Sequence, residues 1–483
     1  MGCETARYNR GMGPFTAVTT TGIYCRPGCG ARPRADHARH YLLAAAAEAD
    51  GYRACLRCRP YRVLPAVPSA ISELVCRGVR LILDGVLDEH SEFELGRRLG
   101  ISARHLRRLF AEHIGVTPDA LARSARVHFA RRLLDDTDLT ITQVAFAAGF
   151  GSLRTFNRAF HEVFRAPPGL LRAKRRTTDR LVADGGLVLR LTYEGPLDWE
   201  AMSAYFAARA IPGVECVDGQ IYRRTVIVGG DPGVVELMPG DEGFILLRAH
   251  LPHWEELIHL VARARRIANL DLDVATPARR LAGDPIIGPL LRARPGIRPP
   301  GTWDPFEIGV RAIIGQQISV PAANAVAGAL VARCGDPVPG LRPFGLTHTF
   351  PAPQVIATAD LSGVGLTRSA AEAIRTFARA VTDRTLRLDQ SDRLERLIDS
   401  LTAIPGIGPW TAHYIALRVG EVDAYPARDL GLRRALARLA GGRSMDLAGL
   451  DARWRPWRAL AAAHLWMAPS EGGRPGLAQT GAA

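Results

Sequence analysis

The sequence predicts a multidomain protein that is mostly α-helical and contains two small α+β parts. The chain has 483 residues, which is too long for one ordinary hydrophobic core, so we expect several domains. Helical periodicity dominates residues 70–176, whereas the stretch from residue 187 alternates like strands around one helix. Two close pairs of cysteines near the N-terminus are typical of a small metal-binding module. The hydrophobic fraction of 47% is typical of globular rather than disordered chains.

The charge composition favours nucleic acid or another acidic surface as a partner. The formal net charge is +14 at pH 7, and Lys174 is the only lysine among the basic residues. A GC-rich genome would by itself favour arginine codons. The positions of the arginines still matter, because the planar guanidinium group binds phosphate and guanine in a defined geometry.

The hydropathy of the chain favours a cytoplasmic protein with no membrane partner. No apolar segment resembles a signal peptide, and no stretch reaches the roughly 18 apolar residues of a membrane span. We also expect a monomer. Because disulfides are rare in the cytosol, the cysteines are expected to bind metal, take part in chemistry or pack in the core.

The four clustered cysteines have the spacing of a metal site. They lie in "GIYCRPGCG" and "GYRACLRCRP" as Cys25, Cys29, Cys55 and Cys58. Four thiolates in two close pairs predict one tetrahedral Zn²⁺ ion, and the alternative is a set of free buried thiols. The remaining cysteines are isolated and are expected to pack in the core: Cys3, Cys76, Cys216 and Cys334.

The residues around these cysteines resemble the N-terminal module of the Ada family of alkylation-response proteins. The similar stretches are "FTAVTTTGIYCRPGC" and "GYRACLRCRP", and we assign residues 1–66 to this module. The resemblance implies that Cys25 accepts a methyl group from a methylated DNA phosphotriester. A zinc centre with four thiolates carries a charge of about −2, so a methylated Cys25 would repel DNA phosphates less. The alternative is a purely structural zinc site.

The second segment has two successive helix-turn-helix patterns. In "ELGRRLGISARHLRRLFAEHIG" Gly100 marks the turn and Ser102 is a plausible N-cap. In "ITQVAFAAGFGSLRTFNRAF" Gly149 and Gly151 mark the turn and Ser152 is the N-cap. The following residues are candidates for contact with double-stranded DNA: Arg104, Arg107, Arg108, Arg154, Asn157 and Arg158. For each of them, contact with phosphate or simple solvation is an alternative to base reading.

This tandem, residues 70–176, resembles the DNA-binding domain of the AraC family of transcription regulators. The resemblance implies sequence-specific binding to a promoter, with RNA polymerase as a candidate partner. Ada proteins combine a zinc module with such a domain, so the two assignments support each other. The Pro-Cys-His-Arg methyltransferase motif that Ada proteins often carry is not found in this sequence, so direct guanine repair is not predicted.

Residues 187–300 are predicted to form a small α+β domain, and residues 301–468 a helical domain. The motif "PGIGPWTA" has two glycines, Gly406 and Gly408, between short helices, which is typical of a helix-hairpin-helix. Such a hairpin presents backbone N–H groups to a DNA phosphate. An acid follows about twenty residues later, and Asp429 and Asp423 are both candidates. The final residues, 469–483, are expected to be disordered.

These two domains resemble the AlkA-type 3-methyladenine DNA glycosylases, whose N-terminal domain is TBP-like and whose second domain is an all-α helix-hairpin-helix domain. The resemblance assigns the catalytic carboxylate to Asp429, and the aromatic walls of the base pocket to Trp410, Tyr414 and Trp466. It also places Gln317 where a side chain fills the gap left by a flipped base. The pocket differs from the family pattern at Leu430 and Met467, where relatives often have tyrosines.

The resemblance also separates this chain from relatives with other chemistry. Trp410 occupies the position of the Schiff-base lysine in lyase-competent relatives, and no lysine is present in this half of the chain. No cysteine follows Asp429, so we expect no iron–sulfur cluster. The sequence therefore predicts a monofunctional glycosylase fused to a methylation-sensing regulator. The alternative is a transcription factor whose C-terminal half only binds DNA.

Overall fold

The computed structural model describes residues 14–31, 33–62, 72–176, 179–181, 186–439, 449 and 451–468. The predicted disordered tail and Cys3 lie outside these ranges. The described chain forms two compact units, one from residues 1–194 with 250–262 and the other from residues 195–249 with 263–483. In the described part of the chain, no helix has both the length and the apolar character that crossing a membrane requires. The predicted fold class, mostly helical with two α+β regions, is confirmed.

The first unit begins with a four-stranded sheet and one short helix. Its elements are β1 (Phe15–Val18), β2 (Ile23–Cys25), β3 (Ala38–Tyr41), α1 (Ala44–Ala49) and β4 (Arg53–Ala54). The strand order is β3-β1-β2-β4, in which β1 is antiparallel to both β2 and β3. Strand β4 runs parallel to β2, so the two strands end on the same side. One aromatic ring from each of the first two strands, Phe15 and Tyr24, packs edge to face in the core.

The helical part of this unit contains two helix-turn-helix motifs on either side of a long central helix. Its helices are α2 (Glu73–Leu83), α3 (Val86–Glu89), α4 (Glu92–Arg98), α5 (Ala103–Ile114), α6 (Pro118–Asp136), α7 (Ile141–Ala147), α8 (Leu153–Phe164) and α9 (Pro168–Ala173). Ser102 and Ser152 cap α5 and α8, as predicted: each hydroxyl accepts a hydrogen bond from the backbone N–H three residues later. Gly100 and Gly149 adopt left-handed backbone conformations at the predicted turns.

The α+β region follows strand β5 (Leu187–Thr192). Its further elements are α10 (Trp199–Arg209), β6 (Glu215–Asp218), β7 (Ile221–Val228), β8 (Asp231–Pro239), β9 (Phe244–His250), α11 (Leu257–Ile267), α12 (Ala275–Leu281) and α13 (Ile287–Ala293). Strands β6 to β9 lie in the order β9-β8-β7-β6, and β7 is antiparallel to both β6 and β8.

The described residues from 305 onward are mostly helical. Its helices are α14 (Pro305–Ile314), α15 (Val320–Cys334), α16 (Pro353–Thr358), α17 (Arg368–Thr382), α18 (Leu394–Thr402), α19 (Pro409–Val419), α20 (Leu430–Leu439) and α21 (Arg458–Trp466). Phe306 and Phe377 stack with ring centroids 5.7 Å apart in the core. A side chain at Gly309 would collide with the Phe377 ring, so α14 and α17 can approach closely only with glycine there. This core supports the turn between α18 and α19.

Candidate functional sites

The pairing of β2 with β4 brings the four clustered cysteines together. Cys25 ends β2 and Cys55 follows β4, and the Cys55 N–H donates to the Tyr24 carbonyl at 3.0 Å. Cys29 and Cys58 lie on the turns that follow, and the four Sγ atoms lie within 4.8 Å of one another. Thiolates bound to one zinc ion at about 2.3 Å would be roughly 3.8 Å apart. The predicted ligand set therefore fits one tetrahedral ion.

Burial disfavours the thiolate forms of these cysteines unless a cation is bound. It raises the pKa of Cys25, which is also raised by the neighbouring Cys29 and Cys55, and it raises the pKa of Cys58 to about 11. Burial acts in the same direction on Cys55, but N–H groups of Cys58 and Arg57 lower the pKa of that thiol. The raised pKa values favour the protonated forms of Cys25 and Cys58 when no cation is bound. Zn²⁺ binds thiolates and would displace these protons, so the donor set matches its chemistry.

The cysteine cluster is connected to the long helix α6 by a buried polar network. Tyr24, next to Cys25, donates its hydroxyl hydrogen to Glu48 Oε1 at 2.6 Å. His128 of α6 places Nε2 2.6 Å from the same oxygen. All three side chains are largely buried, and burial followed by the Glu48 charge raises the pKa of Tyr24. Sequence reasoning missed this network, because its members are 24 and 80 residues apart.

The two predicted recognition helices, α5 and α8, present their polar side chains to solvent, but two of the arginines on α5 also have intramolecular contacts. The predicted DNA-contact residues are all exposed: Arg104, Arg107, Arg108, Arg154, Asn157 and Arg158. Arg107 forms an ion pair with Glu92, and Arg108 Nη2 lies 3.1 Å from His105 Nδ1. On both helices the opposite face is apolar and buried.

Asp429 lies at the start of α20 and is 1% exposed. Its Oδ2 accepts the Trp410 indole N–H at 3.1 Å, and its Oδ1 accepts the Trp466 indole N–H at 2.9 Å. The backbone N–H of Leu432 also donates to Oδ1 at 3.0 Å. Three N–H donors therefore hold the carboxylate in one orientation. The sequence predicted these indoles only as walls of a base pocket.

Asp423, the alternative carboxylate, has a different environment. Its oxygens lie 2.8 and 3.0 Å from the Arg458 guanidinium and 2.9 Å from Arg455. Arg458 also pairs with Asp451 at 2.9 Å. These contacts give Asp423 a role in an ion-pair network that fixes α21.

The predicted pocket aromatics form one cluster. Tyr414 stacks on Trp410 with centroids 5.5 Å apart and packs edge-on against Trp466 at 6.3 Å. The Tyr414 hydroxyl lies 3.5 Å from that of Tyr205 on α10, a residue that sequence reasoning missed. Burial and Tyr205 raise the pKa of Tyr414 to about 12.

Two arginines pack against Tyr205 beside this cluster. The guanidinium carbons of Arg209 and Arg418 lie 4.2 and 4.7 Å from the centre of its ring. Although burial acts to raise the pKa of Tyr205, Arg418 and Arg209 lower it. Arg209 lies on α10 with Tyr205, whereas Arg418 comes from α19, so the apolar spacing of α10 contained no signal for the contact with Arg418.

The predicted hairpin lies next to the turn that carries Gln317. We call Gln317 the wedge, because its side chain is predicted to fill the gap left by a flipped base. Gly406 has φ of +89°, and a Cβ atom there would lie 2.8 Å from the Cβ of Ala373, so this position requires glycine. Gly408 is the N-cap residue of α19 and provides no side-chain cap, which leaves N–H groups of the first turn available for a phosphate. Gln317, on the turn between α14 and α15, is exposed with φ of +61°.

Four family models match the chain in succession. They are the metal binding domain of Ada over residues 11–61 and a helix-turn-helix domain over residues 95–174. The AlkA N-terminal domain matches residues 188–304, and the HhH-GPD superfamily of base excision DNA repair proteins matches residues 310–448. This order agrees with the order of modules predicted from the sequence.

Individual proteins resemble the chain over most of its length or over its C-terminal half. A probable bifunctional transcriptional activator/DNA repair enzyme AlkA from Mycobacterium tuberculosis is 39% identical over 93% of this chain and 92% of its own length. The DNA-3-methyladenine glycosylase 2 of Escherichia coli is 34% identical over 59% of this chain and 98% of its own. The solved structure of a 3-methyladenine DNA-glycosylase from Archaeoglobus fulgidus matches with a TM-score of 0.51 and 26% identity, over 58% of this chain and 97% of that one.

Proposed function

The chain belongs to the AlkA family of bifunctional transcriptional activators and DNA repair enzymes, and we propose that Asp429 and Cys25 carry its two reactions. In the first, the enzyme hydrolyses the N-glycosidic bond of alkylated purines such as 3-methyladenine. In the second, Cys25 accepts a methyl group from a DNA phosphotriester. The observation that supports the first reaction most strongly is the buried carboxylate of Asp429 between two indole N–H groups.

The glycosylase reaction requires little from the protein beyond this carboxylate. An N3- or N7-alkylated purine is already cationic, so it leaves with the bonding electron pair and needs no general acid. The sugar then develops oxocarbenium charge, which the fixed anion of Asp429 stabilises. Water adds at C1′ and releases a proton to solvent or to this carboxylate. The absence of lysine from this half of the chain favours hydrolysis without lyase action.

The aromatic cluster supports recognition of a flipped cationic base. The target base must leave the stack before its glycosidic bond can reach the carboxylate. A positively charged purine is attracted to electron-rich aromatic faces, and Trp410, Tyr414 and Trp466 offer such faces next to Asp429. We propose that Gly406 and Gly408 hold the DNA backbone, and that Gln317 fills the gap in the duplex.

The test of this reaction is release of 3-methyladenine from methylated duplex DNA. Wild-type protein should release the base, and Asp429→Asn should lower the rate at least about 100-fold while leaving DNA affinity unchanged. Asp423→Asn is the matched control and should lower the rate of excision far less than Asp429→Asn. A wild type that binds alkylated DNA and releases no base would leave the alternative, a regulator whose C-terminal half only binds DNA.

For the second reaction, we propose that the four cysteines hold one Zn²⁺ ion and that Cys25 is the methyl acceptor. A Zn²⁺ ion held by the four cysteines would keep their sulfurs deprotonated at neutral pH. The Cys25 thiolate attacks the methyl carbon, the C–O bond breaks, and the phosphodiester leaves as an anion. One negative charge is lost from the sulfur cluster, so repulsion between the module and DNA phosphates falls.

Mass spectrometry of the protein after incubation with methylated DNA tests this assignment. Fragmentation of the peptide that contains Cys25 and Cys29 should place one methyl group on Cys25, and none is expected on Cys29, Cys55 or Cys58. Methylation of a different cysteine would contradict the assignment of Cys25. A fully zinc-loaded protein that gains no methyl group would support the alternative of a structural zinc module.

The helix-turn-helix domain gives the regulatory activity its DNA contact. We propose that Arg154, Asn157 and Arg158 read base edges, because exposed arginine and asparagine match the edges of guanine and adenine. Arg104 and Arg108 are proposed to contact the backbone or bases of the adjoining half-site, with Arg107 contributing less because Glu92 already pairs with it. RNA polymerase remains the candidate protein partner of the activator.

A further inference from the structure

Gln316, the residue before the proposed wedge, connects two parts of the glycosylase domain that the chain separates by about ninety residues. Its Nε2 atom donates to the Gly406 carbonyl at 2.9 Å and to Thr411 Oγ1 at 2.8 Å. Both N–H bonds of the amide are thereby used. The first acceptor lies in the hairpin, and the second lies in the first turn of α19, where Thr411 is 2% exposed.

The neighbours of these acceptors belong to the proposed reaction machinery. Gln317 follows Gln316 directly, so its Cα atom lies about 3.8 Å from the tethered residue. Thr411 follows Trp410, whose indole N–H donates to Asp429 at 3.1 Å. One amide group therefore links the wedge turn, the phosphate-binding hairpin and the start of the helix that supports the carboxylate.

The turn that carries the wedge is held on one side by Ile318, which packs against the core of the domain. Gln317 has the left-handed φ that costs energy for any residue but glycine, so the surrounding structure must hold it. The backbone N–H of Gln316 donates to the Ile313 carbonyl at 3.3 Å, which anchors the turn only to its own helix α14. The side chain of Gln316 provides the anchor to the hairpin.

We propose that Gln316 is a positioning residue that holds the wedge and the hairpin as one rigid part. When the hairpin binds the DNA backbone, Gln317 is then placed beside the base pair to be opened. The turn therefore does not have to become ordered separately during base flipping. This inference rests on the proposed glycosylase function and assigns to Gln316 a role in flipping rather than in bond cleavage.

Single-turnover excision of 7-methylguanine from a defined duplex tests the proposal, with the target base either paired with cytosine or mismatched. A mismatched base costs less to flip. Gln316→Ala should lower the excision rate about tenfold on the paired substrate, which corresponds to the loss of one to two hydrogen bonds, and much less on the mismatched one. Thr411→Val keeps the bond to Gly406 and should show a smaller loss with the same dependence on pairing.

A double-mutant cycle with Gln317→Ala gives the second measurement. If Gln316 acts through the wedge, the double variant should be no slower than Gln317→Ala alone. An equal loss on paired and mismatched substrates, or additive losses in the cycle, would overturn the proposal. If Gln316→Ala does not fold, Thr411→Val and Gln316→Glu allow the same comparison. A wild type that excises neither 7-methylguanine nor 3-methyladenine would instead overturn the glycosylase function.

Discussion

The carboxylate site and the cysteine site both bury an acidic group, but they stabilise it in different ways. Asp429 receives three N–H donors from the protein itself, two of them from indoles. Cys25 is surrounded by other thiols, and burial together with these neighbours raises its pKa. The folded chain therefore supplies the hydrogen-bond donors of the carboxylate, whereas the raised pKa of Cys25 means that a cation would be needed to stabilise its thiolate.

The difference follows from the chemistry that each site is proposed to perform. A fixed anion that stabilises a passing positive charge benefits from donors that never move. A sulfur nucleophile must instead release electron density to carbon, and strong hydrogen bonds to the sulfur would oppose this. Coordination to Zn²⁺ keeps the thiolate deprotonated and leaves it nucleophilic.

Removal of zinc should produce the largest effect that separates the two sites. Chelation should unfold residues 14–62, because a structural zinc ion contributes about 10–16 kcal/mol of folding free energy in small zinc domains. Methyl transfer to Cys25 should be lost, while excision by Asp429 should be retained. Circular dichroism and base release, measured on the same chelated sample, check this.

Readdition of Zn²⁺ is the control for chelation, and it should restore methyl transfer. We expect chelation to abolish methyl transfer and to leave base excision unchanged. If excision fell in parallel with methyl transfer, the carboxylate site would not be complete without the metal, and the comparison between the sites would be wrong.

The donors to Asp429 provide the second test. Trp466→Phe keeps an aromatic face toward Tyr414 but removes the N–H that Oδ1 accepts at 2.9 Å. A hydrogen bond to a charged group contributes about 1.5–3 kcal/mol, so the rate of excision should fall roughly 10- to 100-fold. Single-turnover kinetics at saturating enzyme separates this loss from weaker binding.

Trp410→Phe is the matched variant, because it removes the other indole donor and keeps the stacking partner of Tyr414. Similar losses in the two variants would support the role of both indoles as donors. Unchanged rates in both would limit the tryptophans to the base contacts that the sequence predicts.

The features that the sequence predicts well are local in the chain. The cysteine set follows from the spacing of ligands within two short segments, and the Trp410–Tyr414 stack follows from helical spacing of four. The distance to the hairpin motif leaves both Asp423 and Asp429, and the family resemblance selects Asp429, whose catalytic role stays a prediction. For the cysteines and the stack, a few neighbouring residues contain the whole signal.

The features that the sequence does not predict join distant segments through polar contacts. The contact between the Trp466 indole and Asp429 spans 37 residues, and the contact between Tyr205 and Tyr414 spans 209. Hydrophobic periodicity indicates which face of a helix is buried, but it does not specify which polar group on another helix that face will meet. The double hydrogen bond of Gln316 belongs to the same class.

The polar network behind the cysteines provides the third and smallest test. Tyr24→Phe removes the hydroxyl that donates to Glu48 at 2.6 Å and leaves Glu48 paired with His128 of α6. The expected loss is about 1–3 kcal/mol in the free energy of unfolding of the first unit, since the bond is buried and one partner is a carboxylate. Denaturant titration of the zinc-loaded protein measures this loss.

The same variant tests whether the polar network only connects the cysteine cluster to α6 or is also needed to bring the four cysteines together. The four Sγ atoms are brought together by the pairing of β2 with β4, in which Tyr24 takes part through its backbone, so zinc stoichiometry should not change. A matched cycle with His128→Gln should show coupling between the two side chains, because both contact the same oxygen of Glu48. Loss of zinc from Tyr24→Phe would mean that the network is needed for metal binding. The cysteine site would then resemble the carboxylate site, in which the reactive group depends on its hydrogen-bond donors.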